Sequence, residues 1–317
     1  MLLIKPSVEL ITESDPMKKI ELAGRTCYKS ESKITPESAF KFYNNLVKHN
    51  HTAMLEHAHF VFEIEDDITY NECCKEKYLN CTRTLISDNA SAVNTTRRLV
   101  SGNLRAINES HIISLLMCLY NLDPNLVYDC TFQENVELYK QLKKFHDTKI
   151  VSLENYNSIT SKELLMHTYT TMRFICDRGV SHELVRHRKF SFAQESTRYV
   201  NYLNGDIKFI QPAEFDNWEA SKQEYFKSVL FTAETAYKIL VEKFNTSPQE
   251  ARAVLPNAVK TEIIVSGNGN EWKHFFDLRS KGTTGKPHPD MKIVADIAYK
   301  LYQEHIMQLY VHSITRN

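Results

Sequence analysis

Apolar positions recur along this chain with two periods. Thr35-Pro36-Glu37 offers a cap, a proline for the first helical position and an acid for the first turn. Phe40, Tyr43, Leu46 and Val47 then follow three or four residues apart. They predict a helix that ends at Lys48 and His49, where the dipole favours positive charge. Phe60, Phe62 and Ile64 alternate with more polar neighbours and predict a strand with one buried face. Leu164, Thr168, Met172 and Ile175 are spaced as a helix expected to stop at Gly179, with Ser181 capping a short helix that runs into Arg186-His187-Arg188. The strongest amphipathic helix carries Phe226, Val229, Leu230, Ala233, Tyr237, Leu240, Val241 and Phe244.

Toward the end of the chain, Ser247-Pro248-Gln249-Glu250 has the form of a capping box. Val259, Thr261, Ile263 and Val265 alternate as a strand, Asn268-Gly269-Asn270 turns the chain, and 271–278 reads as a helix. After a loop at 281–289, Asp290 caps a last helix with Ile293, Ile297 and Leu301 on one face. Residues from about 66 to 160 are less periodic. They hold a polar stretch at 87–91 and a helix around 112–120, and read as an insertion into a single domain spanning 1–317. One echo joins the two parts: Leu99-Val100-Ser101-Gly102-Asn103 and Ile264-Val265-Ser266-Gly267-Asn268 both read as strand, turn and helix start. Five positions do not by themselves establish a duplication. Helices and strands mix without regular βαβ alternation, so the expected class is α+β.

Composition narrows the function. At 42% apolar and 25% charged residues, the 317-residue chain can bury a real core. Lys plus Arg equals Asp plus Glu at 39 each, which speaks against a nucleic-acid binder. The sequence has no apolar run of membrane-spanning length and no signal-peptide pattern at its start. Its seven cysteines form no C-x-x-C pair, as expected of free thiols in the cytoplasm. With eight glycines, a glycine-cradled phosphate loop is a poor prospect.

The chemistry concentrates at 186–198, where three arginines, one histidine and several hydroxyls fall within thirteen residues. Arginine forks match phosphate oxygens, and hydroxyls add short hydrogen bonds. A lone Arg-His-Arg is more often a solvated basic turn; with Ser196 and Arg198 following at this spacing, an anion site is the better reading.

Arg186-His187-Arg188, seven residues, then Ser196 resembles the signature of flavin-dependent thymidylate synthases. Three further segments resemble that family in the expected order: Ala23-Gly24-Arg25-Thr26-Cys27-Tyr28; His51-Thr52-Ala53-Met54-Leu55-Glu56-His57; and Arg252-Ala253-Val254-Leu255-Pro256 with Ser266-Gly267-Asn268 and the run from Trp272 to Arg279. The resemblance covers roughly residues 20–64 and 165–300. It departs at Asn50 for glycine, Ala53 for serine or threonine, and Glu183 for glutamine.

The resemblance implies a mostly antiparallel central sheet flanked by helices. It implies reductive methylation of dUMP to dTMP, with methylenetetrahydrofolate as carbon donor and FAD reduced by NADPH. It places dUMP against Glu183, Arg186, Gln194, Glu195, Ser196, Thr197, Arg198, Arg252 and Arg279, with Arg279 catalytic at the uracil edge. It places FAD against Ala53, Arg186, His187, Arg188, Gln194, Asn268, Asn270 and His274, and the folate near His51. It also implies a homotetramer with shared active sites. No metal is expected: His57 and His59 share a strand face, but no spacing completes a tetrahedral set with His51. Two other readings stay open at this point, a flavoprotein reductase on the same scaffold and a single-strand nucleic-acid binder.

Overall fold

The computed structural model describes residues 1–87, 94–141, 148–153, 156, 159–203 and 205–314, so the polar stretch after Ser87 lies outside the described residues. The class is α+β, and the antiparallel strands are shared between two four-stranded sheets. One has the order β2 (Ser7–Leu10), β7 (Tyr169–Asp177), β10 (Lys260–Asn268), β8 (Ser191–Gln194). The other has the order β4 (Asn80–Ser87), β5 (Asn94–Asn103), β3 (His59–Ile64), β6 (Thr148–Ile150). A parallel pair, β1 (Leu2–Ile4) with β9 (Lys208–Ile210), stands apart.

Helices cover these sheets in separate cores. α1 (Pro16–Tyr28), α2 (Ser38–Lys48), α3 (Asp67–Cys73), α4 (Leu104–Ser110), α5 (Ile113–Leu122) and α6 (Cys130–Gln141) contribute to a core with β3 and β5 that includes Tyr43, Phe62, Val100 and Leu115. α7 (Ser161–His167) leads into β7, and α8 (Arg178–Leu184) follows it. α11 (Gly269–Arg279) and α12 (Pro289–Ile314) pack Trp272, Phe275, Phe276 and Val294 against Met172, Phe174 and Val265. α9 (Ala220–Glu242) packs Leu230 and Tyr237 onto Ile207 and Phe209, and the short α10 (Pro248–Ala251) adds Ala251. Residues 66–160 supply α3–α6 and the strands β4, β5 and β6 of the sheet that contains β3.

The pattern located α2, β3, α9, α11 and α12, and several details differ. The helix expected across Leu164, Thr168, Met172 and Ile175 is a short helix followed by a strand. Its β-branched and aromatic residues, Tyr169-Thr170-Thr171-Met172-Arg173-Phe174-Ile175, suit the sheet and are flanked by neighbours on both sides. Asp177, not Ser181, caps α8, accepting from Val180 N at 2.8 Å. Helix α8 ends at Leu184, so Arg186-His187-Arg188 lie in the turns beyond it. Asn268-Gly269-Asn270 is no free turn, because Asn268 caps α11 directly. Asp290 lies in the first turn of α12, with Oδ1 accepting from Ala213 N, rather than capping that helix. At Ser247 the hydroxyl donates to the Glu250 carboxylate at 2.6 Å, and the reciprocal side-chain-to-backbone bonds of a capping box do not form. The complete capping box is Thr160 with Glu163 at α7.

Candidate nucleotide-binding site

The Arg-His-Arg turn is held by its last residue. Phe190 is buried, with its ring centroid 4.6 Å from that of Trp272 on α11. It also lies over Gly267, where an added Cβ would sit 2.3 Å from Phe190 Cδ1. The turn therefore closes against the start of α11. Arg186 and Arg188 point to solvent, and His187 is half-buried with its ring 5.1 Å from Phe275 and 6.1 Å from His274.

Arg279, the last residue of α11, reaches back to this turn. Its Nη1 donates to Glu183 Oε2 at 2.7 Å and its Nε to His187 Nε2 at 3.2 Å. Burial, then the charge of Arg279 and the neighbouring His274, pull His187 down to about 4, so its ring is neutral at pH 7. Because Nε2 accepts, the ring proton resides on Nδ1. Glu183, one of the departures from the family pattern, is thus the ionic partner of Arg279.

Strand β8 carries the second part of the motif. Gln194 donates through Nε2 to Ser181 Oγ at 2.9 Å and Thr261 Oγ1 at 3.2 Å. Glu195 is buried and ion-paired with Lys260 Nζ at 2.8 Å, and it accepts from the Tyr202 hydroxyl at 3.0 Å. Lys260 also meets Glu262 at 2.5 Å, and Glu262 meets Lys29 at 2.9 Å, which ties the end of α1 to β10. Ser196 N donates to Cys27 O at 2.9 Å, docking the loop on α1. Arg198 is exposed, its guanidinium 5.5 Å from the Tyr199 ring.

Beyond that loop, Arg252 Nη1 donates to Thr197 Oγ1 at 2.8 Å. Arg252 and Thr197 line a cleft of about 250 Å³ together with Arg178 and His182. Two guanidiniums, an imidazole and a hydroxyl lining one cleft are groups that could hold an anion. Sequence reasoning missed Arg178 and His182. Their i,i+4 spacing, which puts them on one face of α8, was the available signal.

Asn268 Oδ1 accepts from Asn270 N at 3.0 Å and Glu271 N at 3.2 Å, so this side chain is committed to capping α11. Asn270 and His274 are exposed, one helical turn apart. His51 and Ala53 are also exposed, at the turn Thr52–His57, and share no hydrogen bond or ring contact with the other candidates among the described residues. The single chain therefore gathers Glu183, His187, His274 and Arg279 in one cluster, and Arg178, His182, Thr197 and Arg252 in another, with α8 contributing to both.

Known proteins bear on this arrangement. The chain is 36% identical over 128 residues to the flavin-dependent thymidylate synthase of Geobacter sulfurreducens, covering 40% of this chain and 54% of that one. It is 35% identical over 145 residues to that of Corynebacterium glutamicum, covering 41% and 55%. The chain spans about half the length of the curated relatives it matches. Among solved structures, a UMP/dUMP methylase PolB from Streptomyces cacaoi with bound 5-Br dUMP aligns over 96% of this chain and 93% of its own, at 13% identity and a TM-score of 0.41. The profile of the Thy1 family, thymidylate synthase complementing protein, matches residues 9–72 and 130–306. Residues 73–129, which it leaves unmatched, carry β4, β5, α4 and α5. With about three quarters of its length matched, including the Arg-His-Arg turn and both sides of the cleft, the chain belongs to the Thy1 family.

Proposed function

We propose that this chain is a flavin-dependent thymidylate synthase, converting dUMP to dTMP with methylenetetrahydrofolate as carbon donor and NADPH as reductant. The observation that carries this reading is the placement of a basic cleft and an ion-paired arginine cluster about one short helix. Arg178, His182, Arg252 and Thr197 line a cleft beside α8, and Glu183 at the end of α8 holds the Arg279–Glu183–His187 cluster. The cleft suits the nucleotide phosphate, and Ser196 and Arg198 are assigned to it as the sequence neighbours of Thr197, which lines it. Arg279 suits the uracil edge, where a fixed cation stabilises negative charge developing on the ring. Glu183 holds that guanidinium in place, and neutral His187 leaves the local positive charge to the arginines. Gln194 bridges α8 and β10, and Glu195, tied to Lys260, fixes the loop from beneath.

The surface around the start of α11 fits FAD. Arg186 and Arg188 offer two free guanidinium forks to a diphosphate, and Asn270 and His274 offer further donors one turn apart. When bound, the flavin supplies the hydride that completes the methyl group. His51 is assigned to the folate, and Ala53 contributes backbone alone. Because Arg186, Arg188, Arg198, Asn270 and His274 are open on one chain, we assign them to sites completed by neighbouring copies in a homotetramer. No helix among the described residues is long and apolar enough to cross a membrane, and all seven cysteines are free. We place the protein in the cytoplasm.

The test is binding followed by chemistry. FAD-loaded protein should retain flavin through gel filtration, and dUMP should perturb its absorption. Arg279→Ala should keep flavin and lose methylation by about 10²–10³-fold, as when one charge donor is removed from a catalytic site. Flavin lost together with activity in that variant would make Arg279 structural, and parent protein that never holds flavin would end the reading.

A further inference from the structure

The two four-stranded sheets share one register. Tyr169 pairs with Asn268 and Thr171 with Ser266; His59 pairs with Asn103 and Val61 with Ser101. Ser191 lies opposite Ser266 as Asn80 lies opposite Ser101. The outer strands agree residue for residue: Val8 and Leu10 pair with Phe174 and Met172, as Thr148 and Ile150 pair with Ile64 and Phe62. Bonds outside the ladders repeat too. Gly269 N donates to Thr168 O and Leu104 N to Ala58 O, while Ile11 N donates to Thr171 O and Val151 N to Val61 O. Both central strands end in Ser-Gly-Asn, and each asparagine caps the next helix. Leu79 fills the space over Gly102 as Phe190 does over Gly267. His59 and Tyr169, equivalent in this register, stack on each other at 4.4 Å and 2°.

Among the bonds that cross between the halves, two are equivalent. His57, just before β3, places Nδ1 2.8 Å from Ser266 Oγ on β10, and Ser266 meets Thr171 at 2.8 Å. His167, just before β7, places Nδ1 2.8 Å from Ser101 Oγ on β5, with its Nε2 2.8 Å from Thr82. The halves differ in what hangs from this frame. Lys75-Glu76-Lys77 occupies the register of Arg186-His187-Arg188, and α4 stops after seven residues where α11 runs eleven to Arg279. The arginine-rich candidate nucleotide chemistry lies in the second half, while the first contributes Ala53 and His51. Glu56 adds to the asymmetry: its carboxylate accepts from Ser191 Oγ at 2.9 Å, and its carbonyl from the Tyr169 hydroxyl at 2.8 Å.

We infer that the chain contains one folding unit twice, and that His57 of the first copy is a positioning residue for the nucleotide site of the second, acting through Ser266 on Gly267 and Asn268. This rests on the function proposed above for the choice of ligand, but not for the geometry. Ser266 immediately precedes the glycine that seats Phe190 and the asparagine that caps α11. Loosening it moves the Arg-His-Arg turn and α11 together. His167 makes the matching bond on the silent side and serves as an internal control.

The experiment compares His57→Phe with His167→Phe, and the milder Ser266→Ala with Ser101→Ala in case a bulky pair fails to fold. Amide hydrogen exchange across the intact chain is the first readout. The His57 and Ser266 variants should exchange faster at 186–198 and 266–274, and the His167 and Ser101 variants at 79–83 and 101–106. Flavin and dUMP titrations are the second: the first pair should bind at least about tenfold more weakly, in line with the effect of small misplacements on bound geometry, and the second pair should bind as the parent does. Faster exchange shared equally by both regions in every variant, or equal loss of binding in both pairs, overturns the inference. If even the parent binds no flavin, the synthase reading fails, while the exchange pattern still decides the positioning role.

Discussion

Gly267→Ala is a single methyl group placed where the fold leaves no room. Gly267 sits in extended strand backbone within β10, so alanine brings no conformational penalty and the effect is steric. The new Cβ would lie 2.3 Å from Phe190 Cδ1 and 2.6 Å from Cε1. Ordinary carbon contact begins near 3.5 Å, so the ring must withdraw by about 1.2 Å. It cannot simply rotate away, because Trp272, Phe275 and Phe192 crowd it within 4.6–6.2 Å, centroid to centroid. Overpacking of this kind costs about 1–3 kcal/mol. Each kcal/mol lowers the melting temperature by about 2–4 °C in a domain somewhat smaller than this. Phe190 ends the turn that holds His187 and Arg188, so the displacement reaches the site, and kcat/KM for dUMP should fall by about 10–100-fold. Thermal melts with steady-state kinetics measure both. The double variant Gly267→Ala/Phe190→Leu should recover part of each loss, since the branched chain can turn aside. At Gly102 an added Cβ would clash with Leu79 Cδ2, at 2.5 Å, the far end of an aliphatic side chain, while Ile107 and Tyr78 stay at ordinary contact; Gly102→Ala should cost less without touching turnover. Unchanged melting and kinetics in Gly267→Ala would refute the claim that this close approach sets the turn.

Three further outcomes follow from charge and burial. Burial pulls His57 and His59 down to about 3 and His167 and His187 to about 4, from an ordinary 6.5. Between pH 6.5 and those values the unfolded chain takes up protons that the native chain refuses, so stability falls as pH falls, by about 1.4 kcal/mol per pH unit in mid-window for each of His57, His59 and His167 and by less for half-buried His187. Urea melts from pH 7.5 to 4.5 should show this slope, and a flat profile would contradict the buried neutral rings. The Cys27 thiol is pushed up to about 11 and that of Cys176 is raised further, both by burial, so neither is an activated nucleophile. Cys27→Ser and Cys176→Ala should retain turnover, unless mass spectrometry of the parent finds a nucleotide-modified cysteine peptide. Arg97 and Glu163 form a buried two-point ion pair at 2.8 and 2.6 Å. Arg97→Met should destabilise by about 3–5 kcal/mol and Arg97→Met/Glu163→Leu by much less, measured by denaturant unfolding.

The sequence made some of this legible and hid the rest for physical reasons. α2, α9 and α11 each bury one stripe, so their spacing shows. β7 alternates only from Met172 onward, with Phe174 and Cys176 buried between less buried Arg173, Ile175 and Asp177; its start, Tyr169-Thr170-Thr171, carries no such alternation, so Leu164, Met172 and Ile175 also fit a helical period. The Thr160–Glu163 capping box marks where α7 starts, and the Tyr-Thr-Thr run after His167 marks where it ends. The Arg-His-Arg motif identified the turn, but not that Arg178 and His182 would join Arg252 across seventy or more residues of sequence. Glu195 looked like a ligand contact; only the fold brings Lys260 to it and buries the pair. The echo at 99–103 and 264–268 was five letters in the sequence, and in the structure it is the visible tip of a register that runs through both sheets.

The most direct test of the proposed reaction follows the transferred carbon. FAD-loaded protein is incubated anaerobically with dUMP, NADPH and methylenetetrahydrofolate labelled with ¹³C at the methylene carbon, and the nucleotides are read by mass spectrometry. The synthase account predicts dTMP carrying the label in its methyl group, formed only when flavin and NADPH are both present. NADPH consumed with dUMP recovered unchanged would contradict it and leave a flavin reductase built on the same scaffold.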